Sequence, residues 1–248
     1  MEILLVLGVI FIILTFFYKQ AICEFRINQM EWTQKENLST LLHEKIPLVV
    51  RSLPPATFWS VDDVLSRECY TRVPIFQEMS LVEWVSHAND QSVCPWKYQQ
   101  AEKIAAISGM SVWATKWLHP VIIPSWLKAW WYPRYHCWAG KVGLRKTIAT
   151  WTYLFPVYSE ITVSIMTENV ESALPPTWLD GFPDEFTVKD TPFLADLKYM
   201  DIILRPGNGL FMPAHWFISW KGCVEGKIPM VGTISYHSPV SLLAFHAS

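Results

Sequence analysis

An uncharged apolar run close to the N-terminus constrains this chain more than any other feature. Residues 3–18 (ILLVLGVIFIILTFFY) carry no charge, and one glycine and one threonine are the breaks in the apolar sequence. As an α-helix the run would be about 24 Å long, slightly short for the ~20 residues that usually cross a bilayer. Lys19 and Gln20 can extend toward lipid headgroups, and a thin bilayer of about 27 Å reduces the mismatch. We therefore expect residues 1–20 to form a transmembrane anchor that contacts the membrane through residues 3–18.

A cleaved signal peptide is the main alternative for this run. Ala21-Ile22-Cys23 is an acceptable cleavage site of the small-x-small type. However, only Met1 and Glu2 precede the run, without a basic residue, and the run is long for the apolar part of a signal peptide. A buried core helix is less favoured, because the run has no polar face. The sequence favours a retained anchor.

The charges that flank the run predict its orientation. Glu2 precedes it, whereas Lys19 and Arg26 follow it, and basic flanks usually stay in the cytosol. The five cysteines are odd in number and form no Cys-x-x-Cys pair, which agrees with a reducing compartment. A single Asn-x-Ser sequon at Asn37 points to the opposite side. We expect the C-terminal part of the protein to lie in the cytosol.

The remaining chain has the composition of a folded domain. The 248 residues are 51% hydrophobic and 17% charged with a formal net charge of −2, which excludes an intrinsically disordered chain. A nucleic-acid partner is not expected, because affinity for phosphates requires concentrated lysine and arginine. The length allows one large domain. We assign residues 21–44 to a juxtamembrane helix or linker and residues 45–248 to a β-domain with helical insertions.

Local patterns predict short helices in the first half of this domain and strands in the second. Residues 45–51 are typical of a buried strand. Ser60 and Ser80 are typical helix N-caps, and Glu83 completes a capping box with Ser80. Alternating or β-branched segments predict strands over residues 147–155, 160–165, 201–204, 210–212, 216–220 and 231–236. Short strands at this spacing predict a mainly β sandwich or barrel, which is α+β overall with its flanking helices.

Parts of the sequence resemble cupin-like and JmjC-type domains. Residues 199–216 (YMDIILRPGNGLFMPAHW) resemble the late strand pair of that family, and residues 233–236 resemble its closing strand. Residues 45–51, followed by Trp59, are similar to its entry segment. The motifs are scattered rather than continuous. The resemblance implies a cupin-like double-stranded β-helix, which is a jelly-roll-like fold, for residues 45–248.

The resemblance also implies an activity whose residues this chain lacks. Active members bind Fe(II) through His-x-Asp/Glu and a distal histidine, and bind 2-oxoglutarate partly through a lysine. None of the seven histidines here is followed two residues later by Asp or Glu. The resemblance places the first motif at residues 149–152, the distal ligand at or near Ile218 and the lysine near Glu160. The chain thus resembles a degenerate member, a pseudoenzyme without a metal site or cofactor.

Three residues are the remaining candidates for a metal site. His136 and Cys137 are adjacent, and His215 follows Pro213 within the resembling block. Together they would support an iron- or zinc-dependent oxygenase or hydrolase with atypical ligands. The simpler interpretation packs His215 against Trp216 with a hydrogen bond to a backbone carbonyl. A nucleophile pair of His136 and Cys137 is less favoured, because adjacent residues on a strand would point to opposite faces. We expect no catalytic centre, and metal ligation by these three residues is the alternative.

An aromatic-rich segment is a candidate interaction surface. It contains Trp126, Trp130 and Trp131, and Trp126 and Trp130 would share one face of a helix. Such rings can fill the core, form a hot spot for a partner protein or lie at the headgroup level of a membrane. All three interpretations stay open at this point.

Lys141, Arg145 and Lys146 form a basic cluster. A solvated loop is the simplest interpretation of these residues. Contact with phosphate or lipid headgroups is the functional alternative, since both would be attracted by concentrated positive charge.

These observations favour a non-catalytic, membrane-anchored structural or adaptor protein that contacts other proteins. An anchor joined to such a domain resembles proteins of large DNA viruses, in which internal membranes lie beneath capsids of jelly-roll subunits. That resemblance implies a virion-associated role, as a minor capsid or virion membrane component. The alternative from another class is the metal-dependent oxygenase or hydrolase.

Overall fold

Short helices and strands follow one another along residues 2–20, 24–54, 56, 58–72, 74–76, 79–123 and 129–247, which the structure, a computed structural model, describes. The helices in these ranges are α1 (Glu2–Lys19), α2 (Leu38–His43), α3 (Val61–Ser66), α4 (Glu68–Thr71), α5 (Leu81–His87), α6 (Tyr98–Ser108), α7 (Met110–Trp117), α8 (His119–Ile122) and α9 (Pro239–Ala247). Short 3-10 helices cover Trp32–Asn37, Glu168–Ala173 and Leu194–Asp196. The strands are β1 (Asn28–Glu31), β2 (Leu48–Arg51), β3 (Pro74–Phe76), β4 (Met79–Ser80), β5 (Tyr132–Ala139), β6 (Val142–Lys146), β7 (Trp151–Tyr158), β8 (Ile161–Met166), β9 (Met200–Leu204), β10 (Gly209–Pro213), β11 (Phe217–Gly222) and β12 (Met230–His237).

The strands form two large sheets and a small hairpin. The six-stranded sheet has the order β1-β2-β10-β7-β12-β5, the four-stranded sheet has the order β6-β11-β8-β9, and β3 pairs with β4. From β5 onward the chain alternates between the two large sheets, except that β9 follows β8 within the smaller one. This alternation is typical of jelly rolls. The expectation of a β-sandwich with flanking helices is therefore confirmed, and the strand order is consistent with a cupin-like fold.

The locally predicted elements are present. Ser60 Oγ accepts a hydrogen bond from Asp63 N at 3.2 Å where α3 begins. Ser80 Oγ accepts from Glu83 N at 3.2 Å, and the Glu83 carboxylate accepts from Ser80 N at 2.7 Å, which is the predicted capping box of α5. The predicted strands correspond to β2 and to β7–β12. These signals depend on close neighbours in the sequence, which is why the sequence suffices to find them.

The segment predicted as a juxtamembrane helix or linker is part of the folded domain where the structure describes it, from residue 24 onward. β1 pairs in parallel with β2 at the edge of the larger sheet, with Met30 opposite Val50. Met30 and Trp32 are buried in the main core. The sequence did not predict β1, because this segment is mostly polar and its few large apolar side chains are irregularly spaced.

Helices cover one face of the larger sheet, and the smaller sheet covers the other. On the helical face, Trp113 of α7 stacks on Phe155 of β7 with ring centroids 5.0 Å apart. On the inner face, Trp138 of β5 packs against Trp220 of β11 at 5.9 Å. Tryptophans thus fill both interfaces of a three-layer domain. The strands predicted from alternation did not include β5, because residues 132–139 (YPRYHCWA) show no regular alternation.

Candidate functional site

The last turn of α1 is fixed to the β-domain. Tyr18 is buried, and its hydroxyl donates to Ile148 O at 2.6 Å. Its ring contacts the imidazole of His215 with centroids 4.9 Å apart, and His215 Nε2 lies 3.2 Å from Tyr18 O. Ala214 and Val240 complete an apolar cluster around Tyr18. We call Ile148, Ala214, His215 and Val240 the docking site for α1.

Thr147 holds the turn that presents His215 to α1. Its hydroxyl donates to Pro213 O at 2.7 Å and accepts from Trp216 N at 3.0 Å, while His215 N donates to Thr147 O at 2.7 Å. The turn places His215 at a φ of 71°, a left-handed conformation that is uncommon outside glycine and needs such support. His215 is therefore positioned as a contact of α1.

Lys45 interacts with the C-terminal end of α1. Its ammonium group donates to Gln20 O at 2.9 Å and to Phe17 O, and it lies 3.9 Å from the centroid of the Phe17 ring. Carbonyl groups at a helix C-terminus lack intrahelical partners and carry partial negative charge. Partial burial lowers the pKa of Lys45 from its ordinary value. Lys45 thus provides a positively charged cap for α1.

An apolar cavity of about 280 Å³ lies beside the docking site. Leu14 and Phe17 of α1 contribute to its lining together with Trp130 and Trp131 of the domain. Trp130 is 55% exposed and lies at the surface next to the end of α1, whereas Trp131 is half-buried and packs against the main core. Trp126, and with it the predicted helical pairing of Trp126 and Trp130, lies outside the described residues.

The rest of α1 extends from the docking site with its apolar side chains exposed. Ile3, Leu4 and Phe16 are 77%, 74% and 75% exposed. By length and composition the helix can cross a membrane, and a signal sequence has the same properties. Large exposed apolar surfaces of this kind mark a site that a membrane or another protein covers.

A second cavity, of about 70 Å³, lies between the two large sheets, and we call it the interior cavity. Its polar lining includes His136 of the larger sheet, and Arg145 and Trp220 of the smaller one. Leu154 and Ile218 contribute apolar walls. Among the described residues that line it, none has a carboxylate side chain. The interior cavity is thus rich in hydrogen-bond donors and poor in anionic groups.

His136 is almost completely enclosed at the interior cavity. It is 2% exposed, and its ring packs edge to face against Tyr98 with centroids 5.2 Å apart. Within the described part of the chain, neither ring nitrogen has a hydrogen-bond partner. Burial, followed by the charges of Arg134, His237 and Arg145, lowers the pKa of His136 to about 3. The imidazole is therefore neutral at physiological pH.

The three candidate metal ligands do not meet in the structure. Cys137 lies on the helical face, where its Sγ is 3.6 Å from Ser108 Oγ, while His136 lines the interior cavity and His215 belongs to the docking site. Burial raises the pKa of the Cys137 thiol, which disfavours the metal-binding thiolate. No group of three or more His, Cys, Asp or Glu that could hold a metal ion occurs among the described residues. The alternative ligand set is therefore not assembled.

Part of the segment that the resemblance assigns to the metal-binding motif, and the position of its distal ligand, lie at the interior cavity. Ala149, Thr152 and Ile218 all line it, although their side chains lack the imidazole and carboxylate groups that Fe(II) prefers. Glu160, the position assigned to the cosubstrate lysine, pairs with Arg205 at 3.0 Å instead. The residues present do not fit the metal or the cosubstrate of the active family members.

The predicted basic cluster is divided among ion pairs. Arg145 and Lys146 belong to β6, and Lys141 lies in the turn before it, so the expectation of one solvated loop is corrected. Each basic residue has an acidic partner: Lys141 with Glu185 at 3.3 Å, Arg145 with Asp180 at 2.8 Å, and Lys146 with Glu168 at 3.1 Å and Glu171 at 2.7 Å. These pairs reduce the positive charge that a phosphate or a lipid headgroup would encounter.

Sequence reasoning missed Tyr18 and Lys45 as docking residues and Arg145 as an interior residue. No linear pattern connects Tyr18 with Ile148, because the contact depends on the tertiary fold. For Arg145 a signal existed: strand residues alternate between faces, and Leu144 belongs to an apolar cluster on the other side of β6. If residues 142–146 had been predicted as a strand, the alternation of its faces would have predicted that Arg145 points toward the interior cavity.

No protein-family model and no curated protein matches the chain. Among solved structures the chain is similar to the Drosophila melanogaster CENP-C cupin domain, with a TM-score of 0.25 and 11% sequence identity. The match covers 43% of this chain and 59% of that one, so the chain spans less than two thirds of the structure it matches. The strand order, rather than this match, supports a cupin-like β-sandwich.

Proposed function

We propose that this protein is a single-pass membrane protein whose β-domain is a non-catalytic structural or adaptor module held at the membrane surface for contact with other proteins. One observation carries the proposal: α1 exposes apolar side chains along its length, while its last turn is fixed to the docking site. The exposed apolar side chains would be covered by a membrane. The contacts of the last turn would then hold the domain close to the membrane surface.

The exposed surface of α1 supports membrane insertion. Its side chains from Ile3 to Ile13 include many large aliphatic groups more than half exposed. In water such a surface would drive association, whereas hydrocarbon covers it at no cost. The backbone hydrogen bonds of a helix are satisfied within the helix, as a bilayer requires. We therefore propose retention of α1 as the anchor.

The rings near the end of α1 support a position of the domain directly at the headgroups. Trp130 and Tyr132 are 55% and 46% exposed, and Trp130 lines the same cavity as Phe17. Tryptophan and tyrosine are enriched at this depth, because they combine an apolar ring with a polar group. Of the three interpretations of the aromatic segment, this geometry favours the membrane interface for Trp130.

The interior of the sandwich supports a non-catalytic role. The interior cavity of about 70 Å³ is small compared with the ~300–1,000 Å³ of typical ligand pockets. The segment that would contain the first metal-binding motif in an active relative, residues 149–152, and the distal position Ile218 have neither imidazole nor carboxylate side chains. We propose a degenerate double-stranded β-helix that has kept its scaffold without the metal chemistry. The virion-associated role stays a prediction from resemblance.

Alkaline extraction of membranes tests the anchor. We expect the full chain to stay in carbonate-washed membranes, and Ile10→Arg to release a large part of it, because arginine at a helix centre costs about 2.5–3.5 kcal/mol of insertion free energy. Ile203→Arg is the matched control, since Ile203 is exposed on β9 of the domain. Release of the wild-type chain by carbonate, or equal retention of both variants, would contradict the proposal.

Labelling of cysteines tests the orientation. Cys223 is exposed in the domain and Cys137 is buried. With a cytosolic domain, a membrane-impermeant maleimide modifies Cys223 only after the cells are permeabilised, and Cys137 stays unmodified in the folded protein. Modification of Cys223 in intact cells would place the domain on the opposite side.

A further inference from the structure

The apolar cavity of about 280 Å³ beside the docking site, which we call the anchor cavity, is formed jointly by α1 and the β-domain. Leu14, Phe17 and Tyr18 of α1 contribute to its lining. The domain contributes mainly apolar side chains, and Leu42 and Trp151 are among them. The anchor cavity thus lies between the helix that we propose to be in the membrane and the folded domain.

The anchor cavity extends from the surface of the protein to its core. Leu14, Phe17 and Trp130 line it and are exposed, and we call these three residues the rim. Leu42 and Trp151 line it as well, belong to the main core and are each 6% exposed, and we call these two the floor. An apolar ligand that enters at the rim can therefore contact the floor.

The rim continues the apolar surface of α1 in the direction of the membrane. Leu14 precedes Tyr18 by four residues, which is about 6 Å along the axis of an α-helix. The large side chains between Ile3 and Ile13 are exposed, and the proposed function places them in hydrocarbon. Leu14 adjoins that surface and also lines the cavity, so a lipid chain packed along α1 can enter without crossing water.

The size and polarity of the anchor cavity suit a hydrocarbon chain. At about 30 Å³ for a water molecule or a methylene group, its volume of about 280 Å³ holds roughly nine or ten methylene groups. Water is a poor occupant, because a buried water molecule needs about two to four polar partners and most of the lining is apolar. A hydrocarbon chain needs no such partners, and it restores the dispersion contacts that an empty cavity lacks.

The charge at the anchor cavity fits the phosphate group of a lipid. Lys45 lines the cavity, and among the described residues of the lining none has a carboxylate side chain. An ammonium group has three donors, and two of those of Lys45 go to Gln20 O and Phe17 O. The third donor is left for an anionic oxygen, and attraction between phosphate and ammonium does not require a fixed geometry.

We propose that the anchor cavity holds one acyl chain of a phospholipid from the surrounding bilayer, with the lipid phosphate near Lys45. The chain passes the rim and packs against the floor, so that it contacts α1 and the domain at once. This inference rests on the proposed insertion of α1 into a membrane. It adds a bound lipid to the direct contacts that fix the end of α1 to the docking site.

Photo-crosslinking of the full chain in lipid nanodiscs tests the inference. The nanodiscs consist of phosphatidylcholine with a small fraction of an analogue that has a diazirine in the middle of one acyl chain. A second analogue, used in a separate sample, has the diazirine in its headgroup and reports on surfaces that lipid headgroups reach. After illumination and digestion, mass spectrometry locates the adducts on the protein.

We expect the chain analogue to label Leu42 and Trp151 of the floor as well as residues 3–13 of α1, and the headgroup analogue to leave the floor unlabelled. Labelling of residues 3–13 without the floor would overturn this inference and leave the membrane anchor intact. No labelling of either would contradict both the anchor and the bound chain. Equal labelling of the floor by both analogues would also overturn the inference, because a bound acyl chain keeps the headgroup outside.

Two substitutions on α2 provide a matched comparison. Ser39 lines the anchor cavity, whereas Thr40, the next residue, does not, and both are exposed. Ser39→Trp should reduce labelling of the floor about tenfold, as expected if the indole occupies the space of about two methylene groups, and Thr40→Trp should leave it unchanged. Labelling of residues 3–13 should be equal in all three proteins, which verifies insertion. Unchanged labelling of the floor in Ser39→Trp would overturn the inference.

Discussion

The imidazole of His215 and the phenol ring of Tyr18 are in contact, with ring centroids 4.9 Å apart. The contact joins the end of α1 to a turn of the β-sandwich nearly two hundred positions away in the sequence. Burial, opposed by the charge of Glu168, lowers the pKa of His215, so the ring packs mainly as a neutral group. A histidine that the sequence offered as a metal ligand therefore contacts the end of α1 instead.

Removal of the Tyr18 hydroxyl should loosen the end of α1. Tyr18→Phe loses the 2.6 Å hydrogen bond to Ile148 O and keeps the ring contact. A hydrogen bond of this kind contributes about 1 kcal/mol, so local opening should be about fivefold more frequent. Hydrogen–deuterium exchange of residues 14–20 in nanodiscs measures this. Tyr199→Phe, on the exposed surface, should leave the exchange unchanged, and equal exchange in both variants would contradict a docked helix end.

Loss of the Lys45 ammonium should fray the last turn of α1. Lys45→Met removes the donor to Gln20 O and Phe17 O, and a favourable cation at a helix C-terminus contributes about 0.3–1 kcal/mol. Faster amide exchange should be confined to the end of α1. The control is Lys227→Met on the domain surface, for which no change is expected. Equal amide exchange at the end of α1 in wild type and in Lys45→Met would show that Lys45 does not cap the helix.

Burial of neutral His136 should make the protein less stable in mild acid. Below its ordinary pKa of 6.5 the unfolded chain binds a proton at this position, whereas the folded chain, with a pKa of about 3, does not. The stabilisation is complete above about pH 6.5 and is lost as the pH falls toward 3, by about 1 kcal/mol between pH 6 and pH 5. The charged groups that act on the His136 ring, Arg134, Arg145 and His237, are unchanged in every variant compared.

Denaturant titration of the full chain in detergent, followed by tryptophan fluorescence, measures this dependence. The free energy of unfolding of His136→Phe should fall less steeply between pH 6 and pH 5 than that of wild type, with His43→Gln as the exposed control. Parallel pH profiles for wild type and His136→Phe would contradict a buried neutral imidazole.

Substitution of His215 should leave the metal content unchanged. His136, Cys137 and His215 lie in separate environments, so the wild-type chain and His215→Ala should contain equally little iron and zinc after purification in their presence. Elemental analysis of the protein in detergent provides the measurement. Stoichiometric metal in wild type that is lost in His215→Ala would instead support the metal-dependent enzyme.

The parts of the fold that could be predicted from the sequence are those set by local chemistry. The capping box of Ser80 and Glu83 and the alternation of β8 each depend on a few adjacent residues. β1 and β5 could not be found in this way, because β1 is a polar edge strand and β5 contacts different layers on its two faces.

The site was harder to predict than the fold. Tyr18, Lys45 and His215 meet only after the chain has closed the sandwich, and nothing in their local sequence connects them. Lys141, Arg145 and Lys146 resemble a basic patch in sequence, but partners more than twenty positions away pair with each of them. Whether a basic side chain has an acidic partner depends on tertiary contacts, which the local sequence does not reveal.

The intact mass of the full-length protein extracted from membranes tests the central claim, a retained α1 fixed to the β-domain, most directly. We expect a mass that includes residues 1–20, with the protein found in the membrane fraction. A mature chain that begins after Cys23, recovered without its apolar helix, would contradict the anchor and leave the docking site without the segment it binds.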